Sequence, residues 1–99
     1  MSLRSLDWFI AAGQVDGVTG LLHAGRGAVS SKLGVGHYLL VLDQSLDDTE
    51  GVAMVTVHDT GPGVIALHEV DDFNREVHTF TGGAPTDHDF DFLFVRFAP

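Results

Sequence analysis

Ninety-nine residues, 44% of them hydrophobic, suffice for one independently folding core and leave no room for a second. The absence of cysteine excludes a disulfide framework, a thiolate metal site and a thiol nucleophile. The formal net charge is −9, and of fourteen acidic residues only Asp7 and Asp16 precede Leu42, so the second half carries the acidity. Such a surface repels phosphate backbones and anionic lipid; nucleic acid and membranes are not expected partners, and a neutral or basic protein surface is.

No apolar stretch approaches the ~20 residues of a membrane span. Trp8-Phe9-Ile10-Ala11-Ala12 is short for a signal-peptide core and follows Asp7 closely, which points to a soluble protein made in the cytoplasm.

Residues 2–12 fit two patterns. Leu3, Leu6 and Ile10 approach helical spacing with Gly13 as a stop, whereas Trp8, Ile10 and Ala12 alternate as in a strand. An extended arm entering a strand is the expected form, giving an N-terminal arm or first strand over 1–12 and a single β-sandwich domain over 13–99. Val15-Asp16-Gly17-Val18 predicts a hairpin turn, because Asp-Gly tolerates the positive φ of a type I′ turn. A returning strand over 19–24, a break at Gly25-Arg26-Gly27 and a further strand over 28–33 follow. Gly34-Val35-Gly36 then turns into His37-Tyr38-Leu39-Leu40-Val41-Leu42, an apolar run too short for a helix and therefore a central strand. Tyr38, Leu40 and Leu42 share one face and Leu39 and Val41 the other, so this strand is expected to meet partners on both sides.

Residues 43–50 read as a polar acidic loop, in which Asp47-Asp48-Thr49-Glu50 is solvated and keeps a strand edge soluble. Val52-Ala53-Met54-Val55-Thr56-Val57-His58 is a second strand apolar on both faces. Thr60-Gly61-Pro62-Gly63 forms a turn from which residues 64–70 are expected to pair back onto it. A turn at 71–74, a strand over 75–81, a loop over 82–87 and a closing strand over 89–98 complete the chain. In that last strand Phe90, Phe92 and Phe94 share one face, and Leu93, Val95 and Phe97 the other. About eight short strands separated by turn signals predict an all-β antiparallel sandwich or jelly roll. Strands apolar on both faces need a third covering layer. Another subunit supplies it, with Leu39, Val41, Leu93, Val95 and Phe97 as the oligomer interface; a loop or the N-terminal arm over one face is the alternative.

The chemistry-bearing residues weigh against catalysis. His58, His68 and His78 recur at intervals of ten, but two ordinary hairpins would set His58 near Ile65 and His68 near Val77, leaving His68 and His78 on opposite faces. Within one subunit they hold no metal, although a symmetry axis could gather one of them into a ring. Asp87-His88-Asp89-Phe90-Asp91 opens like a calcium loop, but Phe92 stands where the glycine belongs and Ala98 where the bidentate glutamate belongs. Gly61-Pro62-Gly63-Val64-Ile65-Ala66 matches a dinucleotide fingerprint only in letters, since a strand rather than a helix follows. Ser30-Ser31 lies in a strand with no base tethered to it, and nothing selects a pair of carboxylates for glycoside hydrolysis. No catalytic residue, metal or cofactor is expected.

Gly27-Ala28-Val29-Ser30-Ser31-Lys32, then Gly34-Val35-Gly36-His37-Tyr38-Leu39-Leu40-Val41-Leu42, and a closing Phe92-Leu93-Phe94-Val95, after a hairpin containing Val15-Asp16-Gly17, resemble small β-sandwich modules of bacteriophage virion proteins, of the tail-fibre C-terminal and head-decoration type. The resemblance is best over residues 27–43, where a Gly-x-Gly-x-Tyr turn and strand recur in that group. It implies a non-enzymatic homotrimer located in the virion. A fibre tip needs a shaft, and a chain opening Met1-Ser2-Leu3 at the edge of the sandwich offers none, so either it is an excised piece or it stands alone as a decoration or cement protein that binds and stabilises the capsid. In that role Leu3, Arg4, Leu6, Trp8 and Phe9 would form a partner-binding arm that adds a strand to a capsid or other virion protein. A tail-fibre tip or carbohydrate-binding module is the alternative, with Phe73 the aromatic expected in an exposed loop; a small metal-dependent jelly-roll enzyme is the third reading.

Overall fold

A computed structural model describes residues 8–59 and 61–97. Among these the chain forms nine strands and no helical element: β1 (Phe9–Val15), β2 (Leu22–Arg26), β3 (Ala28–Gly34), β4 (His37–Leu42), β5 (Gly51–Val57), β6 (Val64–Glu69), β7 (Asn74–Thr81), β8 (Ala84–Pro85) and β9 (Phe90–Arg96). They make two antiparallel sheets. The first has the order β2-β1-β9-β5 and the second β3-β4-β7-β6, with β8 paired to β7. Residues 9–12 of the expected N-terminal arm or first strand are sheet: β1 runs across residue 12 and lies between β2 and β9.

Alternation of the side chains decides what the two sheets enclose. Register places Ala11, Phe94 and Ala53 in one inward row of the first sheet, Gly13, Phe92 and Val55 in the next, and Val15, Phe90 and Val57 in a third. From the second sheet Ala28, Tyr38, Leu40, Leu42 and Val77 face them, and these residues form one buried cluster with Ile10 and the loop residue Leu46. Phe90 and Phe94 have no exposure, nor has Tyr38, which packs tilted on Phe90 with ring centroids 5.1 Å apart. The fold is thus sandwich-like, and the phenylalanines predicted to share one face of the last strand supply the centre of its core.

The connections explain two departures from expectation. Asp16 and Gly17 do not adopt the positive φ of a type I′ turn; the left-handed residue is Gly20, at φ 77°. Asp16 bends the chain instead, its Oδ1 accepting the N–H groups of Val18 (2.8 Å) and Thr19 (3.1 Å). A Cβ on Gly20 would lie 2.4 Å from Lys32 Cβ, so both conformation and space demand glycine there. Residues 64–70 do not pair back on the preceding strand: β5 pairs only with β9, and β6 with β7. The two sheets are tied together where the connection crosses: the Asp59 carboxylate accepts from His88 Nδ1 (2.9 Å) and from the Asp89 N–H (3.1 Å) beside β9, and His88 Nε2 lies 2.7 Å from Thr81 Oγ1 on β7 of the other sheet.

Candidate functional site

The outward face of the first sheet has three rows. Phe9, Val95 and Val52 lie side by side, then Ala12, Leu93 and Met54, then Gln14, Asp91 and Thr56. Two rows are wholly apolar, and Met54 is 57% exposed and Phe97 59%. The guanidinium of Arg26 caps one end, 4.8 Å from the Phe9 ring centroid. The polar end is closed by His58, whose Nδ1 is 2.8 Å from Asp91 Oδ2 and whose Nε2 is 3.4 Å from Gln14 Nε2. Beside it lies a cleft of about 250 Å³ lined by Gln14, Asp16, His23, His58 and Asp89.

The outward face of the second sheet is mixed. One corner is apolar, with Val29 opposite Val41 and the half-buried Leu39 next along β4. The five residues expected at an oligomer interface are therefore divided: Leu93, Val95 and Phe97 lie on one outer side of the sandwich, Leu39 and Val41 on the other. No single flat contact can use all five. Of the expected arm, Leu3, Arg4 and Leu6 lie outside the described residues, Trp8 is exposed, and Phe9 belongs to β1.

Next to Leu39 the same face carries a histidine cluster that the register argument from sequence missed. β6 pairs one residue out of the expected step: His68 lies opposite Glu76 and Ala66 opposite His78, so His68 and His78 share the outward face. The expected opposition of those two histidines is thereby overturned, and His58 stands apart at the end of the other sheet. What joins the cluster is His37 on β4, cross-strand partner of His78. Their rings stack at 4.2 Å with an interplanar angle of 17°. His37 Nε2 donates to Glu76 Oε1 at 2.6 Å, and His78 Nε2 stands 3.8 Å from the same oxygen. The hydrogen bond from His37 holds the Glu76 carboxyl below the usual range against partial desolvation, helped by the charges of His37, His78 and His68. Desolvation, then the neighbouring His37, pushes the His78 pKa down. The two shifts favour the ionised carboxylate and the neutral His78 ring, the states in which these groups are Lewis bases. The signal available in the sequence was the Glu76-Val77-His78 alternation; His37, about forty residues away, carried none.

Several other acidic and imidazole groups are engaged separately. Asp87 binds Lys32 Nζ (2.6 Å) and the Gly36 N–H (2.8 Å), Asp89 accepts from the Gly17 N–H (2.7 Å), and Asp91 holds His58. The three carboxylates of the calcium-like string point to three different partners and do not converge. His88, 5% exposed, bridges Asp59 and Thr81, with Nε2 2.7 Å from Thr81 Oγ1. That order of carboxylate, imidazole and hydroxyl is the one a nucleophile relay uses. Here Gly63 lies over the ring, where an added Cβ would fall 2.8 Å from Nε2. The trio reads as a strut that fastens Asp59 to β7 and to the start of β9.

Comparison with known protein families, with curated proteins and with solved structures finds no match to this chain.

Proposed function

We propose that this chain is a non-enzymatic structural protein that assembles as a homotrimer and serves as a virion decoration or cement protein, binding and stabilising a capsid. The observation that carries the assembly is the division of the apolar surface between opposite sides of the sandwich. A heterologous contact needs two different patches on each protomer, one fitting the other on its neighbour, and makes a ring when the rotation between neighbours closes and a filament when it does not, whereas a two-fold dimer needs one self-complementary patch. The face of Val52, Met54, Leu93 and Val95 and the corner of Val29, Leu39 and Val41 are such a pair. Apart from Arg26 and Asp91, the rows of the first face are uncharged, so it can meet another chain of charge −9 without direct repulsion. The place in a virion rests on the resemblance of residues 27–43 to phage modules.

The test is complementation. Met54→Glu disables one patch and Val41→Glu the other, both at exposed positions on outward faces. In a ring each variant alone should sediment as a monomer, and their mixture should form a heterodimer through the two intact patches. If Val41→Glu assembles like the parent chain, the ring is wrong; a monomeric parent chain at micromolar concentration removes the assembly altogether. Purified capsids then report the role, since the trimer should co-sediment with them and the Met54→Glu monomer should not.

A further inference from the structure

We propose that His37, Glu76 and His78 form a binding site for a borderline divalent transition-metal ion such as Zn²⁺, with one coordination position open to water. The three offered ligand atoms all lie within 4.8 Å of one another. Tetrahedral zinc with bonds of about 2.0–2.1 Å sets its ligand atoms about 3.3 Å apart. The spacings from Glu76 Oε1 to the two Nε2 atoms, 2.6 and 3.8 Å, fall on either side of that value, and closing the site on one ion requires the stacked imidazoles to turn out of parallel so that their lone pairs converge. Such rotations cost little for side chains on an outward face, each about a third exposed.

The backbone beneath them does not need to move. β4 and β7 are the two central strands of their sheet, and His37 and His78 are direct register partners, so the two rings are presented side by side from paired strands. Two imidazoles and one carboxylate select a borderline ion over calcium or magnesium, which prefer an all-oxygen shell. On binding, the Nε2 proton that His37 now donates to Glu76 moves to Nδ1 through solvent exchange, and the freed lone pair takes the metal. His68, opposite Glu76 on β6, remains outside the ligand set.

The site belongs to one chain and does not depend on the proposed ring. Titration of the purified protein with ZnCl₂ against a chromophoric chelator should show one ion per chain bound at micromolar or tighter affinity. His37→Ala, His78→Ala and Glu76→Gln, each checked for an unchanged circular dichroism spectrum, should each weaken it at least tenfold. His68→Ala and His58→Ala should leave it within threefold, and Met54→Glu should bind as the parent chain does. Co²⁺ in place of Zn²⁺ should give the intense visible absorption of a four-coordinate ion, lost in His37→Ala. Parent-chain binding only at millimolar Zn²⁺, affinity undiminished in both histidine variants, or a loss in His68→Ala or Met54→Glu as large as in His37→Ala would overturn the assignment.

Discussion

Tyr38 is a large aromatic side chain with no exposure, and its hydroxyl must therefore find partners inside the sandwich. It donates to the Gly17 carbonyl at 2.7 Å and lies 3.3 Å from Asp87 Oδ1. Burial, then the Asp87 charge, pushes its pKa up to about 12. Burial alone would raise the Asp87 pKa, but the Lys32 hydrogen bond, the Gly36 N–H and the Lys32 charge outweigh it and hold the carboxyl below its usual value. A depressed folded pKa contributes stability that is present above the unfolded value near 3.9 and is lost as pH falls through the folded value. Asp87→Asn should cost about 1–2 kcal/mol at pH 7, and the gap to the parent chain should close below about pH 4. Urea unfolding across pH 7 to 3 measures both. The sequence showed these residues without their roles: Tyr38 was legible as core from alternation, while Asp87 stood only in an incomplete calcium-like string, because Lys32 and Gly36 lie more than fifty positions away.

At the scale of elements, alternation located the strands well and their partners less well. Boundaries of β3, β4, β7 and β9 were readable because polar turns bracket apolar runs, and Phe90, Phe92 and Phe94 announced the inward face. The β5–β6 hairpin was misread because a Gly-Pro-Gly turn does not say which sheet it enters; His88, which ties the crossing through Asp59, lies about thirty residues on. One further residue slip at β6 hid the histidine cluster, since a shift of one reverses every side chain. Loop 43–50 reads from its composition as polar and acidic, yet Leu46 is 2% exposed within it. A lone leucine among polar residues was the available sign. Arg75 fixes that loop: although on an inward-facing position of β7, it donates from Nη2 to the Leu46 carbonyl at 2.6 Å and from Nη1 to the Asp71 carbonyl, and lies 5.7 Å from the Phe94 ring centroid. Leu46→Ala should destabilise by about 2–3 kcal/mol through the cavity it leaves. Arg75→Lys, which keeps the charge but loses the fork, should cost about 1–2 kcal/mol. Chemical denaturation checks both, and a Leu46→Ala variant as stable as the parent chain would mean that the loop does not seal the core.

For the whole molecule, charge and apolar surface oppose one another. The class, all-β in two antiparallel sheets, followed from strand count and turn spacing, and it placed apolar residues on outward as well as inward faces. What covers the outward ones could not be read from the chain, because periodicity marks a face as apolar without naming its occupant. Salt distinguishes the candidates. Chains of charge −9 repel on approach, and the Debye length falls from about 30 Å at 0.01 M to about 10 Å at 0.1 M salt, so added salt removes that repulsion. Contact through Val52, Met54, Leu93 and Val95 is driven by apolar burial, which salt at this level does not weaken. Association of the proposed ring should therefore strengthen as NaCl rises from about 0.01 to 0.1 M, read as a shift of the monomer–trimer midpoint to lower protein concentration in sedimentation equilibrium. A contact built on ion pairs, for example Arg26 or Arg96 against the acidic loop of a neighbour, would move the other way. Weakening with salt would assign the interface to those charges and return the apolar face of the first sheet to solvent.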